Sequence, residues 1–194
     1  MRIYGDSRSG NCLKVKFTAD HLRLGYDWQE IDIMTGACRA EEFQKLNPAG
    51  QVPVIELDDG RTLAQSNAIM LYLADGSRLI PRRRYERAKM WEWLFWEQYS
   101  HEPTIAVLRF QKQFLKTPDD ELDPKKVDGG RAALKLMDDH LAENDYFVGG
   151  RLSLADIALV AYTRWADEAG FDLADAPDVA AWVARIEDDL GIAD

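Results

Sequence analysis

The chain has 194 residues, 46% hydrophobic and 30% charged, with a formal net charge of -10, so it can bury a core as one medium domain or two small ones. That acidity excludes a nucleic-acid partner, which needs a basic footprint, but still permits an anionic small ligand in a locally favourable pocket. No run approaches the roughly 18 apolar residues of a membrane span and no signal-peptide order opens the chain, while two cysteines and three scattered histidines offer neither a disulfide framework nor metal spacing.

In chain order, Arg2 to Gly5 reads as a strand and Cys12 to Leu24 as a helix, with Leu13, Phe17 and Leu24 near one stripe. Trp28 to Ile33 alternates as a strand, and a short helix follows over Glu41 to Leu46. Val54 to Leu57 and Arg61 to Leu63 flank Asp59-Gly60, a two-residue hairpin signal. Ser66 then offers its hydroxyl as cap to a helix carrying Ile69, Met70, Tyr72 and Leu73. The order βαβ, α, ββ, α predicts a thioredoxin-like domain over 1–76. A short linker is expected over 77–84.

From 85 to 194 the pattern is all helical, so the fold class is α/β followed by an all-α bundle. Arg83 to Gln111 carries Trp91, Trp93, Phe95, Trp96 and Tyr99, and Pro103 is expected to bend that helix. Lys125 to Glu143 is amphipathic, with Leu134, Met137 and Leu141 at helical spacing. Ser153 and Asp156 have the spacing of a capping box, and a last helix runs near Asp178 to Asp189. The acidic group Asp119, Asp120, Glu121 and Asp123 reads as a loop face in water.

Three segments could carry chemistry. A helix starting near Asn11 leaves amides without intrahelical partners, and its dipole favours an anion there. A thiol held at that end would shift toward thiolate. Free, it is only about 3% ionised at pH 7, and a shift of roughly two units would raise that to about three quarters. The stabilisation required is about 2.7 kcal/mol, which one hydroxyl plus one or two helix-end amides can supply at ~1.5–3 kcal/mol per bond to a charged group. Ser9 and Asn11 are the candidate donors, with Ser7 as a competitor; the plainer reading makes Ser9 a helix cap and Asn11 a turn residue. Cys12 lies three residues after Ser9, at the spacing of a thioredoxin-type dithiol, and either reacts or simply packs.

Gln51-Val52-Pro53 stands at a strand mouth. A cis bond there would turn the Val52 amide and carbonyl outward to pair with an extended peptide, whereas an ordinary entry proline would not. Gln65-Ser66, at a helix start, suits a ligand carboxylate or plain capping.

The chain resembles a cytosolic glutathione transferase of the bacterial serine type (theta/nu-like). The matching pieces are Ile3-Tyr4-Gly5 through Ser9-Gly10-Asn11-Cys12-Leu13-Lys14-Val15, Asn47-Pro48-Ala49-Gly50-Gln51-Val52-Pro53, Leu63-Ala64-Gln65-Ser66-Asn67-Ala68-Ile69 and the Ser153 to Asp156 box. The resemblance spans essentially the whole chain. It implies a glutathione-binding thioredoxin-like domain, a helical domain with an electrophile pocket, and a cytoplasmic homodimer acting in detoxification with glutathione as co-substrate, without metal, membrane or nucleic acid. By that likeness Ser9 and Asn11 serve the sulfur, Gln51, Val52 and the cis-proline Pro53 hold the peptide backbone, and Gln65 and Ser66 hold the γ-glutamyl carboxylate. Tyr99, His101 and Arg109 are expected to line the electrophile pocket, between the loop of Asp6 to Arg8 and the helix from Trp96 to Arg109. Two alternatives stand beside conjugation: a glutathione-dependent disulfide or peroxide reductase, motivated by Asn11 and Cys12, and a non-catalytic binding protein on the same fold.

Overall fold

Ile3 and Tyr4 point to opposite faces of the first strand, and that alternation organises the first half of the chain. The computed structural model describes residues 1–193, which divide into two units, Met1–Ser77 and the chain from Arg78 onward. In the first unit, strands β1 (Arg2–Gly5), β2 (Asp27–Glu30), β3 (Val54–Glu56) and β4 (Thr62–Ala64) form a sheet of order β2-β1-β3-β4. The β1–β2 pair is parallel because helix α1 (Gly10–His21) carries the chain back, and the pairs β1–β3 and β3–β4 are antiparallel.

Ile3 and Ile55 meet Val15 and Ala19 of α1 and Ile69 of α3 (Ser66–Leu73), all fully buried. On the other face Tyr4 and Val54 pack with Phe43 of α2 (Glu41–Leu46) and with Cys38. Gly5 ends β1 where a Cβ would stand 2.6 Å from the Trp28 ring and 3.1 Å from Cys12 Cβ.

Three local expectations change. The second strand stops at Glu30, because Asp32 accepts the Met34 amide and turns the chain into a 3₁₀ turn. The hairpin loop has three residues, Asp58 to Gly60: Leu57 donates to the Arg61 carbonyl, Gly60 donates to the Leu57 carbonyl, and Gly60 takes φ +84°. Ser66 does not cap α3. It is the first helical residue, and Gln65 stands before it at φ 72°, ψ 111°.

The second unit is built around α7 (Leu154–Thr163), every residue of which is buried. Helices α4 (Arg84–Trp96), α5 (Glu102–Gln113) and α8 (Pro177–Leu190) pack against it, and α6 (Pro124–Leu141) lies against α5 and α8. Gly129 and Gly130 let α6 approach closely: a Cβ at the first would meet the Thr104 methyl at 2.8 Å, and at the second the Phe171 ring at 2.3 Å. Asp123 is not a mere solvated acid; its carboxylate caps α6 by accepting the Lys125 amide.

The long aromatic helix is broken by one π turn, Glu97–His101, just before Pro103. Proline lacks the amide an α-helix needs there. The Thr104 hydroxyl makes up part of that loss by donating to the carbonyls of His101 (2.8 Å) and Ser100 (3.1 Å). The capping box forms: Asp156 accepts from the Ser153 amide at 2.9 Å and hydroxyl at 2.8 Å, and also from the Phe147 amide and the Trp182 indole. Among the described residues no helix is long and apolar enough to cross a membrane.

Candidate active site

The loop between β1 and α1 is locked by Asp6. Its carboxylate, fully buried, accepts from the Arg8 amide and guanidinium at 2.7–2.9 Å and from the Ile33 amide at 3.1 Å. Burial alone would raise this carboxyl, but the Arg8 side chain and the two amides outweigh it and hold it below the usual carboxylate range. Ser7 is turned away, its amide and hydroxyl both donating to Glu30 at 2.9 and 3.1 Å. That leaves Ser9 at the N-cap of α1 in extended conformation (φ -93°, ψ 120°), its hydroxyl capping no helix amide.

Cys12 lies beneath this turn, fully buried, with the Asp6 amide donating to its sulfur at 3.3 Å. Burial pushes its thiol up to about 12, against the Asp6 amide and the Ser9 hydroxyl, which both favour the thiolate. A thiol so placed is a poor nucleophile at neutral pH.

Asn11 is the meeting point of two helix starts. Its Oδ1 accepts from Lys14 Nζ at 2.8 Å and from Ser66 Oγ at 3.2 Å, tying the first turn of α1 to that of α3. Lys14 itself is fully buried. Both helices aim N-terminal amides and positive dipole ends into the same region, an arrangement suited to anions.

The third component is the loop before β3. The Val52–Pro53 bond is cis. Asn47 braces the approach: its side chain donates to the Gln51 carbonyl at 2.8 Å and accepts the Ala49 amide at 3.1 Å, and its carbonyl accepts the Gly50 amide at 2.9 Å. Gly50, at φ +61°, sits so close to the Cys38 carbonyl that a Cβ would stand 3.0 Å from that oxygen. Among the described residues nothing hydrogen-bonds the amide or carbonyl of Val52. Gln65 is exposed beside this edge.

Residues 8–75 match the family model "Glutathione S-transferase, N-terminal domain", and residues 95–189 match "Glutathione S-transferase, C-terminal domain". Glutathione S-transferase 3 of Zea mays is 30% identical over 165 residues, 80% of this chain and 73% of that protein. The chain belongs to the glutathione transferase family. This transferase also resembles the crystal structure of a glutathione S-transferase from Pseudomonas fluorescens, with TM-score 0.93 and 45% identity, covering 96% of this chain and 94% of that one. A glutathione S-transferase from Xanthobacter autotrophicus gives TM-score 0.91 and 43% identity, over 96% and 92% of the two chains.

In the transferase's first unit the fold thus brings Asn11 and Ser66 into direct contact, with Ser9 two residues before Asn11. The three residues expected to line an electrophile pocket have different fates in the second unit. Tyr99 is 87% exposed. His101 is fully buried, its Nε2 paired with Thr163 Oγ1 at 2.9 Å. Arg109 is buried with its guanidinium over the Trp165 ring at 3.8 Å and ion-paired to Glu168. Within the helical unit, then, His101 Nε2 and the Arg109 guanidinium are engaged by Thr163, Glu168 and Trp165.

Asp6, Lys14 and Asn47 escaped the sequence reading. Positions 11, 14 and 18 share one face of α1, but Lys16, Asp20 and His21 make the rest of that helix polar too, so no pattern singled Lys14 out; Thr18, also buried, donates to the Lys14 carbonyl at 2.8 Å. For Asp6, only its place directly after an apolar strand and two residues before Arg8 was available as a signal.

Proposed function

We propose that this transferase ionises the glutathione thiol at the N-terminus of α1 and presents it to a small apolar electrophile. Ser9 donates to the sulfur and Asn11 stands beside it. Val52 pairs with the tripeptide backbone like an added strand, Gln51 and Pro53 shape that edge, and Gln65 and Ser66 take the γ-glutamyl carboxylate. The thiol proton leaves for solvent and the thiolate pair forms the new S–C bond. With an aryl halide, the halide departs with its bonding pair.

The observation that carries this is the junction of two helix starts through Asn11 and Ser66, alongside a Val52 before the cis proline whose amide and carbonyl have no hydrogen-bond partner among the described residues. Cys12 speaks against the disulfide or peroxide reductase, since its thiol is buried and hard to ionise. Of the expected pocket residues, Tyr99 alone has an exposed ring to offer an electrophile.

The working form is a cytoplasmic homodimer. Trp91 and Phe95, four residues apart on α4, have 44% and 74% of their surface exposed, an apolar stripe of the kind partners cover. Cys12 and Cys38 are both free thiols, as a reducing compartment requires.

The test measures glutathione binding and conjugation of an activated aryl halide in wild type and Ser9→Ala. The variant should lose about ten- to hundredfold in rate, the worth of one hydrogen bond to a thiolate. Wild-type protein that neither retains glutathione nor gains thermal stability with it would overturn the proposal.

A further inference from the structure

Given the homodimer proposed above, we infer that two copies of the chain meet across α4 in antiparallel register about Ala88, each Arg84 pairing with Glu92 of the partner subunit. Positions 84, 88 and 92 lie four residues apart and form one ridge of the helix. All three are exposed, as are Trp91 and Phe95 on the neighbouring ridge. This face therefore carries a cation toward its N-terminal end, an anion eight residues on, and a small side chain midway between them.

Neither charge is explained by the helix itself. Arg84 stands in the first turn of α4, where the dipole favours an acid. Among the described residues no carboxylate holds it, since Glu86 pairs with Arg83 instead. Glu92 has Lys89 beside it, yet its side chain remains 62% exposed, and such a surface pair leaves room for a second cation.

What fits this pattern is the pattern itself, reversed. A two-fold axis lying across the helix lays it antiparallel on its own copy, and the contact is the same patch on both sides. Centred on Ala88, whose methyl allows close approach, the operation sets each Arg84 against a Glu92, about 6 Å along the axis from the crossing point. Ridges of residues four apart run side by side when helices cross at about -50°, which draws the two charges together. A parallel arrangement would instead set arginine on arginine and glutamate on glutamate, and like charges facing across an interface cost affinity. With a net charge of -10 on each copy, the opposed pairs also offset part of the long-range repulsion.

Sedimentation over a range of protein concentrations tests the register in wild type, Arg84→Glu, Glu92→Arg and the double variant. Each single reversal places two like-charged contacts in the dimer and should raise its Kd by about tenfold to a hundredfold. The double variant should recover the wild-type value. An equimolar mixture of the two single variants should form a heterodimer at that same affinity, because every facing pair is then opposite in sign. Single variants that dimerise as tightly as wild type would overturn the inference, and so would a double variant and a mixture that both stay monomeric. Should a reversal fail to fold, read by circular dichroism, Arg84→Gln and Glu92→Gln replace it: each removes both pairs and must still weaken the dimer. A wild-type chain that sediments as a monomer defeats the homodimer itself, an outcome separable from a dimer that ignores these substitutions.

Discussion

Asp156 should be the most sensitive single position in the helical unit. Four donors converge on its carboxylate: the amides of Phe147 (2.9 Å) and Ser153 (2.9 Å), the Ser153 hydroxyl (2.8 Å) and the Trp182 indole (3.1 Å). Asp156 and Trp182 are fully buried and Phe147 and Ser153 nearly so. In Asp156→Ala the hydroxyl can turn to another acceptor, but two amides and an indole N–H are left buried without one. Each such group costs about 1–3 kcal/mol. Partial entry of water into the vacated space lowers the sum, so a loss of about 3–5 kcal/mol is expected against a typical total of 5–15. Asp156→Asn should cost less, about 2 kcal/mol, because one oxygen still serves the Phe147 amide and the indole while the new NH₂ opposes the Ser153 amide.

Urea unfolding followed by helical circular dichroism and tryptophan fluorescence measures both variants. A loss below about 1 kcal/mol for the alanine would refute the reasoning, since three stranded donors cannot be that cheap. The pH dependence adds a second check. Burial raises this carboxyl from its ordinary 3.8 to about 6, despite the four donors. A raised carboxyl stabilises the folded state fully below the unfolded value and loses that contribution as pH climbs through the folded one, with a slope of at most about 1.4 kcal/mol per unit. The stability gap between wild type and Asp156→Asn should therefore narrow between pH 4 and pH 6. A gap that widens would mean the donors outweigh burial.

Three further expectations follow from the site. Cys12 in the native protein should resist alkylation by iodoacetamide, read by peptide mass, and label freely once unfolded; labelling at the unfolded rate would contradict its burial and its thiol near 12. Gly50→Ala should destabilise the first unit by about 1–2 kcal/mol, the cost of a left-handed alanine, and weaken glutathione binding because the methyl presses the Cys38 carbonyl next to Gln51 and Val52; unchanged binding and melting would exclude that strain. Gln65→Gly should raise the melting temperature while reducing glutathione affinity, since a non-glycine residue at φ 72° stores about 1–3 kcal/mol, and a lower melting temperature would deny it.

What could be read from the chain beforehand divides along physical lines. The alternation of Ile3 with Tyr4 and of Val54 with Ile55, the short α2, and the Ser153–Asp156 spacing are local patterns, and the elements they imply are present because burial and capping act within a few residues. Ser66 shows where local reading stops. Its type and position suit a cap, yet its hydroxyl reaches Asn11, 55 residues earlier, and no periodicity encodes a bond between two helices that the sheet order alone brings together. His101 and Arg109 show the complementary limit. Their place on a helix says nothing of Thr163, Glu168 and Trp165, which the second unit brings against them from 56 to 62 residues away. Lys14 meets the same limit: propensity places a lysine in water, yet it lies wholly inside with its Nζ on the Asn11 carboxamide, because tertiary packing overrides local preference.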